Sequence, residues 1–225
     1  MNSERPDDRP VVVGVDGSPA AAAALRFAVQ HAAGERAPLR VVGVAHDLDS
    51  LPEAEQALAE AGRVLRGRGP ADALTRLGLG PVVPVLRAEA GGARLLVVGR
   101  TPVLGPVAAE LLATCPVPLA LVPADTLPDR GTRRGDVAGH DVLVSLAGDD
   151  SDGPVLAAGR GCAVRRRSRL HVLHTLRAPT DPRPVVREAA AHACLVVMAN
   201  SGRPTADLLA QLDGPVLLMP RSAPG

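Results

Sequence analysis

Residues 11–18 read Val-Val-Val-Gly-Val-Asp-Gly-Ser, and this stretch decides the fold. The continuous apolar run from Val11 to Val15 indicates a strand buried on both faces, which is typical of a parallel sheet. The following Asp16-Gly17-Ser18-Pro19 is a turn into a helix, with Ser18 as the N-cap and Pro19 at the first helical position. A buried strand that leads directly into a capped helix is the opening unit of an α/β protein.

The same alternation continues along the chain. The first helix is predicted to run to Ala33, because Gly34 is a typical helix terminator. Further strands are predicted at 39–45, 74–77, 95–98 and 119–122, with helices at 52–66, 82–90 and 107–113 between them. Strands and helices alternating at this spacing predict a parallel, doubly wound sheet.

The whole pattern occurs twice. A second set of strands is predicted at 142–146, 170–173, 195–198 and 216–219, with helices near 154–163, 184–191 and 205–211. The order of the landmarks is preserved, which indicates a tandem duplication. The second copy is shorter by about one helix and one strand, so the sequence predicts two α/β domains of which the second is truncated.

The predicted domain boundaries follow from composition. Residues 1–9 form a flexible polar tail, 10–123 the first domain, 124–139 a linker rich in Asp, Arg, Gly, Thr and Pro, 140–220 the shortened domain, and 221–225 a second tail. A domain as small as the second one buries too little surface to be very stable alone. We therefore expect it to pack against the first domain.

Charge and composition exclude several kinds of partner. The chain has 25 Lys and Arg against 24 Asp and Glu, with no Trp or Tyr and a single Phe. A balanced charge argues against nucleic acid and anionic membranes as partners, and the lack of aromatic rings removes the usual platforms for base stacking. The three cysteines are widely spaced, and no apolar run approaches the length of a membrane span, so a reduced cytoplasmic protein is expected.

Three segments carry a family resemblance. They are VVVGVDGSPAAAAAL at 11–25, LLVVGR at 95–100 and CPVPLALVP at 115–123. These segments resemble the universal stress protein family, and the resemblance covers the first unit well and the second only at its strands. It implies a Rossmann-like, adenine nucleotide alpha hydrolase-like domain with strand order 3-2-1-4-5, which is often found in tandem.

The resemblance also implies where ATP would bind. In ATP-binding members an acidic residue closes the first strand, and a motif G-x-x-G-x9-G-[ST] after the fourth strand lets backbone N–H groups approach the phosphates. Asp16 and Gly99 match this pattern, but Pro102 stands at the second glycine and Gly105-Pro106 stands where Gly-Ser or Gly-Thr would open the next helix. The remnants of a nucleotide site are then Asp16, Val41, Gly99 and Gly105.

The second unit departs further from the motif. Ala147 occupies the acidic position, and residues 199–203 supply one glycine of three. The resulting hypothesis is a non-catalytic stress-response or regulatory module of bacteria, without a cofactor or metal. Two alternatives remain open: a member that binds and slowly hydrolyses ATP with Mg²⁺, and a small-molecule carrier that uses a cavity between the domains.

The resemblance has one further structural implication. The last strand of a domain in this family is an exposed edge through which domains or subunits pair. The apolar runs 119–122 and 216–219 would aggregate if left open, so antiparallel pairing of the two domains within the chain is expected. Outside the chain, the expected partners are a second copy or a regulatory protein.

Other polar residues each have a structural and a functional interpretation. Asp16 is interpreted as a turn residue rather than a ligand, and Arg100 as cover for the sheet edge rather than an anion site. His171 and His174 point to opposite faces of a strand, which argues against a metal site. The arginines at 165–167 are interpreted as solvated helix-end charges and Cys162 as an inert thiol.

Overall fold

The computed structural model describes residues 8–70, 72–126, 141–175, 181, 183–201 and 203–220. The first half contains β1 (Val11–Val15), α1 (Pro19–Glu35), β2 (Leu39–Ala45), α2 (Leu51–Arg68), β3 (Ala73–Leu79), α3 (Val82–Ala90), β4 (Leu95–Arg100), α4 (Pro106–Thr114) and β5 (Leu119–Pro123). The second half contains β6 (Asp141–Leu146), α5 (Asp152–Arg166), β7 (Leu170–His174), α6 (Arg183–Ala190), β8 (Ala193–Ala199), α7 (Arg203–Leu209) and β9 (Val216–Met219).

The strands form one continuous sheet in the order β3-β2-β1-β4-β5-β9-β8-β6-β7. All neighbours are parallel except β5 and β9, which run antiparallel with Leu119 opposite Leu218 and Leu121 opposite Val216. The first half has the expected order 3-2-1-4-5. The predicted α/β class and doubly wound parallel sheet are confirmed, with the difference that the two halves share a single sheet.

Among the described residues of the second half, no helix or strand corresponds to α2 and β3. Its helix α6 leads directly to β8, and Val186 of α6 packs in the same core layer as Val83 and Leu86 of α3. This shared layer identifies α6 as the counterpart of α3. As a result β7, which corresponds to β2, is an edge strand of the sheet.

Each face of the sheet carries its own core, and both cores cross the junction between the halves. One core lies beneath α1, α2 and α5 and includes Val13, Val97 and Val197. The other lies beneath α3, α4, α6 and α7 and includes Leu96, Leu121 and Leu218. Burial of β-branched and leucine side chains on both faces explains the unbroken apolar runs in the sequence.

The predicted end of α1 is wrong. The helix continues through Gly34 to Glu35, and Arg36 takes the left-handed conformation with φ 51° while its N–H bonds the carbonyls of Ala32 and Ala33. A β-carbon on Gly34 would lie 3.3 Å from Cδ of Arg165, so this glycine accommodates the close approach of α5. The requirement for glycine at position 34 comes from the other half of the chain, so the local sequence does not reveal it.

Most of the predicted linker lies outside the described residues.

Candidate functional site

The turn after β1 is organised by its own side chains. Asp16 Oδ1 accepts a hydrogen bond from the Ser18 N–H at 2.9 Å, and Ser18 Oγ accepts one from the Ala21 N–H at 3.1 Å. Gly17 between them has φ 79°, a conformation that favours glycine. One carboxylate oxygen of Asp16 therefore closes the turn, and the side chain remains exposed at the carboxyl end of the sheet.

Gly99 lies at the end of β4 against the first turn of α1. A β-carbon at this position would be 2.5 Å from the Ala20 carbonyl carbon and 2.7 Å from the Ala21 nitrogen. Contacts this short are with the main chain, which cannot rotate away as a side chain can. The close packing of α1 on β4 therefore requires glycine here, whether or not a ligand is present.

The segment between β4 and α4 is short and exposed. Thr101 Oγ1 donates to the Val103 carbonyl, and the Val103 side chain is 80% exposed. Gly105 is the N-cap of α4 in an extended conformation, and a β-carbon there would meet nothing within 4 Å. Pro106 follows as the first helical residue. Pro102 and Pro106 have no N–H, so this segment offers fewer amide donors than the family motif.

Val41 lies in the middle of β2, opposite Val13 of β1 and Thr75 of β3. It is fully buried in the core beneath α1 and α2. Asp16, Gly99 and Gly105 sit at the carboxyl end of the sheet, whereas Val41 lies inside it. Within the described residues no group of three or more His, Cys, Asp or Glu side chains could hold a metal ion.

The corresponding turn in the second half is closed by an internal carboxylate. Asp152 Oδ1 accepts the Ala147 N–H at 2.8 Å, and its Oδ2 accepts the Gly148 N–H at 2.9 Å. Gly148 has φ 80°, which matches Gly17 in the first half. The two amides that follow β6 therefore already hold an anion, and it is the first helical residue of α5.

The loop after β8 is likewise occupied by protein contacts. The Ser201 N–H donates to Thr205 Oγ1 at 2.9 Å, and the Ser201 hydroxyl lies 2.8 Å from the same oxygen. Thr205 is 1% exposed. The first residue of this loop, Asn200, donates from Nδ2 to the Leu112 carbonyl of α4 at 2.6 Å.

The end of β4 reaches across in the opposite direction. Arg100 is buried, and its Nη2 donates to the carbonyls of Leu212 and Gly214 in the segment between α7 and β9. Burial lowers the pKa of the Arg100 guanidinium, an effect that the negative charge of Asp213 opposes. Arg100 is thus neither an exposed anion site nor cover for the sheet edge. It joins the two halves.

Arg100 and Asn200 occupy equivalent places. Val97 pairs with Ala120 as Val197 pairs with Leu217, and Ala120 lies opposite Leu217 across the β5–β9 junction. The halves are therefore related by a local two-fold axis at this junction. The hydrogen bonds made by Arg100 and Asn200 are the reciprocal contacts of that symmetry.

A second link lies on the other face of the sheet, at Glu35 near the end of α1. Its carboxylate contacts Arg94 Nη1 at 2.7 Å, Arg165 Nη2 of α5 at 2.8 Å and His31 Nε2 at 3.3 Å. Burial alone would raise the pKa of Glu35. The hydrogen bond and charge of His31, together with Arg94 and Arg165, outweigh it and lower the pKa to about 2.

Two of the three clustered arginines, Arg165 and Arg166, contact α1 rather than solvent alone, whereas Arg167 is exposed as predicted. Arg165 bonds Glu35, and the Arg166 guanidinium carbon lies 5.1 Å from the ring centroid of Phe27, the single aromatic residue of the chain. The Phe27 ring stacks on His31 with a centroid distance of 5.9 Å. The sequence shows the arginine cluster, but only the fold brings it against α1.

The remaining candidates are placed as follows. Cys162 is buried beside Arg165, and burial raises the pKa of its thiol. His171 Nε2 lies 2.8 Å from Asp141 Oδ2 of the neighbouring strand, and both His171 and His174 are exposed.

None of the described helices is long and apolar enough to cross a membrane.

Comparison with known families gives a match to the first half. The model of the universal stress protein family matches residues 9–123, about half of the chain. The chain belongs to the universal stress protein family. The matched region is the first half, from two residues before β1 to the end of β5.

Solved structures extend the likeness to both halves. A universal stress protein from Pseudomonas aeruginosa UCBPP-PA14 aligns with a TM-score of 0.67 at 15% identity, covering 94% of this chain and 93% of that one. Another from Archaeoglobus fulgidus DSM 4304 aligns with a TM-score of 0.65 at 13% identity, covering 96% and 97%. At these identities the likeness concerns the fold. Comparison with curated proteins gave no match.

Proposed function

We propose that this universal stress protein is a non-catalytic regulatory module of the bacterial stress response that does not hold ATP. Its second half serves as a built-in partner for the first. Four residues are then remnants of a nucleotide site and have structural roles in the present molecule: Asp16, Val41, Gly99 and Gly105.

The main support for this proposal is the small number of backbone N–H donors that are available at the carboxyl end of the sheet. Phosphate binding in such folds depends on several backbone N–H groups that point at the ligand. In the first half, two of these donors are missing because Pro102 and Pro106 have no N–H. The space beside the α-carbon of Gly99 is occupied by the main chain of the first turn of α1. In the second half, Asp152 already accepts the N–H groups of Ala147 and Gly148.

Electrostatics support the same conclusion. In the second half, the Asp152 carboxylate places negative charge next to where a phosphate would sit. In the first half, the guanidinium of Arg100 at the end of β4 is turned away into the junction between the halves. A triphosphate would therefore meet few donors in either half and a carboxylate in the second.

Isothermal titration calorimetry with Mg²⁺ and ATP tests the proposal on the full chain. We expect no saturable heat at micromolar ligand, while a nucleotide-binding family member run in parallel gives a complete isotherm. A dissociation constant in the low micromolar range or tighter would contradict the proposal and favour the ATP-binding alternative. Native mass spectrometry of protein purified without added nucleotide checks the carrier alternative, because it would report a small molecule that copurifies.

A further inference from the structure

The two ends of the nine-stranded sheet differ in how they are protected. β7 is a five-residue edge with two exposed histidines. β3 is a seven-residue edge that pairs in regular register with β2 and has no bulge or proline. Its leucines at 74, 77 and 79 are 58%, 42% and 58% exposed. Long, regular, apolar edges are templates for pairing with another strand.

The main chain of β3 presents a defined set of free groups. The Gly80 N–H donates to the Ala45 carbonyl of β2 at 2.8 Å. Because successive residues of a strand direct their N–H and C=O groups to opposite sides, the even-numbered residues of β3 face β2. Thr75, Leu77 and Leu79 therefore direct their N–H and C=O groups outward, where no described strand pairs with them.

The side chains sort by the same alternation. A β-carbon on Gly78 would point at Val85 of α3, whereas Ala73 packs into the core beneath α2. Leu77 and Leu79 are therefore on the α2 face of the strand. On α2 itself, Val64 is 37% exposed.

We propose that β3 pairs antiparallel with β3 of a second copy of this chain, in the register that places Leu77 opposite Leu77. In this register Thr75 lies opposite Leu79, so all three outward-facing residues exchange hydrogen bonds with the partner strand. The sheet then continues from one molecule into the next across a two-fold axis at Leu77.

Charge permits a second copy of β3 as the occupant and excludes one neighbouring register. Arg76 is the one charged side chain in β3, and pairing centred on Leu77 places it opposite Gly78. A shift that centres the pair on Arg76 would bring two guanidinium groups face to face, which is destabilising. The strand can therefore pair with its own copy in the Leu77-centred register without a like-charge contact. The molecule already uses the same kind of contact internally, where β5 pairs antiparallel with β9.

Charged variants at Leu77 test the pairing on the full chain by sedimentation velocity over a wide range of concentration. The wild type is expected to reach twice its 23.0 kDa mass. Leu77→Lys and Leu77→Glu each place two like charges together at the axis, so each alone is expected to stay monomeric. An equimolar mixture of the two variants is expected to recover the dimer, because Lys then meets Glu.

Val172→Lys is the matched control, since Val172 lies in the middle of the other edge strand and is also 42% exposed. It is expected to keep the wild-type dimer, and circular dichroism checks that every variant is folded. A wild type that is monomeric at all concentrations overturns the proposal. So does a dimer that survives Leu77→Lys, one that is lost in Val172→Lys, or the growth of open polymers, which would indicate pairing of β3 with β7.

Discussion

At the scale of single residues, Gly99 has a packing role that can be measured. Gly99→Ala would place a β-carbon 2.5 Å from the Ala20 main chain, so α1 must move away from β4. We expect the free energy of unfolding to fall by about 3 kcal/mol, as for other overpacked cores. Urea denaturation measures the change. Gly153→Ala, where a β-carbon meets nothing within 4 Å, is the control and should be neutral or slightly stabilising.

The turn residues Asp16 and Ser18 should each contribute modestly to stability. Ser18→Ala removes the acceptor for the Ala21 N–H, and Asp16→Ala removes the acceptor for the Ser18 N–H. Each substitution is expected to cost about 1 kcal/mol. Thermal melts with and without Mg²⁺ and ATP provide the measurement. An Asp16→Ala protein with unchanged stability but a lost response to nucleotide would make Asp16 a ligand instead.

The local sequence was enough to predict the short-range hydrogen bonds of these residues but not their contacts with distant parts of the chain. The N-cap at Ser18 and the turn at Asp16 could be predicted because both depend on residues two or three positions away. The crowding at Gly99 comes from Ala20, far along the chain, and the contacts of Arg100 come from Leu212 and Gly214. A glycine or an arginine at the end of a strand does not reveal which segment will pack on it.

At the scale of elements, Arg100 fastens the end of β4 to the segment before β9. Arg100→Met leaves the buried carbonyl of Leu212 without its donor, and Gly214 loses a bond as well. We expect a loss of about 2 to 3 kcal/mol, measured by chemical denaturation. Arg160→Met, at an exposed position of α5, should change stability by less than about 0.5 kcal/mol. Equal effects of the two substitutions would argue against this role.

The link at Glu35 predicts a specific dependence on pH. Its pKa falls from the usual 4.5 to about 2 in the folded chain, so its stabilisation is complete above pH 4.5 and disappears as the pH drops toward 2. The shift corresponds to about 3 kcal/mol. Glu35→Gln should therefore be less stable than the wild type at neutral pH, and the two should converge in acid. A difference between the two proteins that stays constant from pH 7 to pH 2 would refute this prediction.

The elements themselves were largely predictable, because strands buried on both faces give unbroken apolar runs. The bounds of β2, α3 and β9 agree with the sequence prediction. The end of α1 differs from the prediction. Gly34 lies within the helix and leaves room for the side chain of Arg165, and Arg36 adopts the left-handed conformation that ends the helix. Arg165 and Arg166 likewise acquired interface roles that depend on where α5 lies relative to α1.

At the scale of the whole molecule, the second half works as a fixed partner for the first. It pairs its β9 with β5, supplies Arg165 to Glu35 and supplies carbonyl acceptors to Arg100. Its described residues contain no counterparts of α2 and β3, yet β8, β9 and α5 are present, and these elements reach the junction or pack beside it. The elements on which the first half depends are thus among those that the second half retains.

Removal of the second half should therefore expose a strong edge. In a fragment of residues 1–125, β5 loses its partner while Leu119, Ala120 and Leu121, all buried in the full chain, come to the surface. The fragment also carries the substitution Leu77→Lys, which is included to prevent pairing through β3. The fragment is then expected to dimerise through β5, with a second copy in place of the lost half, or to precipitate.

The full-length Leu77→Lys protein is the matched control for this fragment, since both lack the β3 contact and only the fragment has an open β5. Sedimentation velocity should show a monomer for the full chain and a larger species for the fragment. Glu35 also loses the donor Arg165, and Arg100 loses its carbonyl acceptors at Leu212 and Gly214, so the fragment should melt at a lower temperature. A fragment that stays monomeric and soluble would mean that β5 tolerates water without β9, and the second half would then need another reason to be kept.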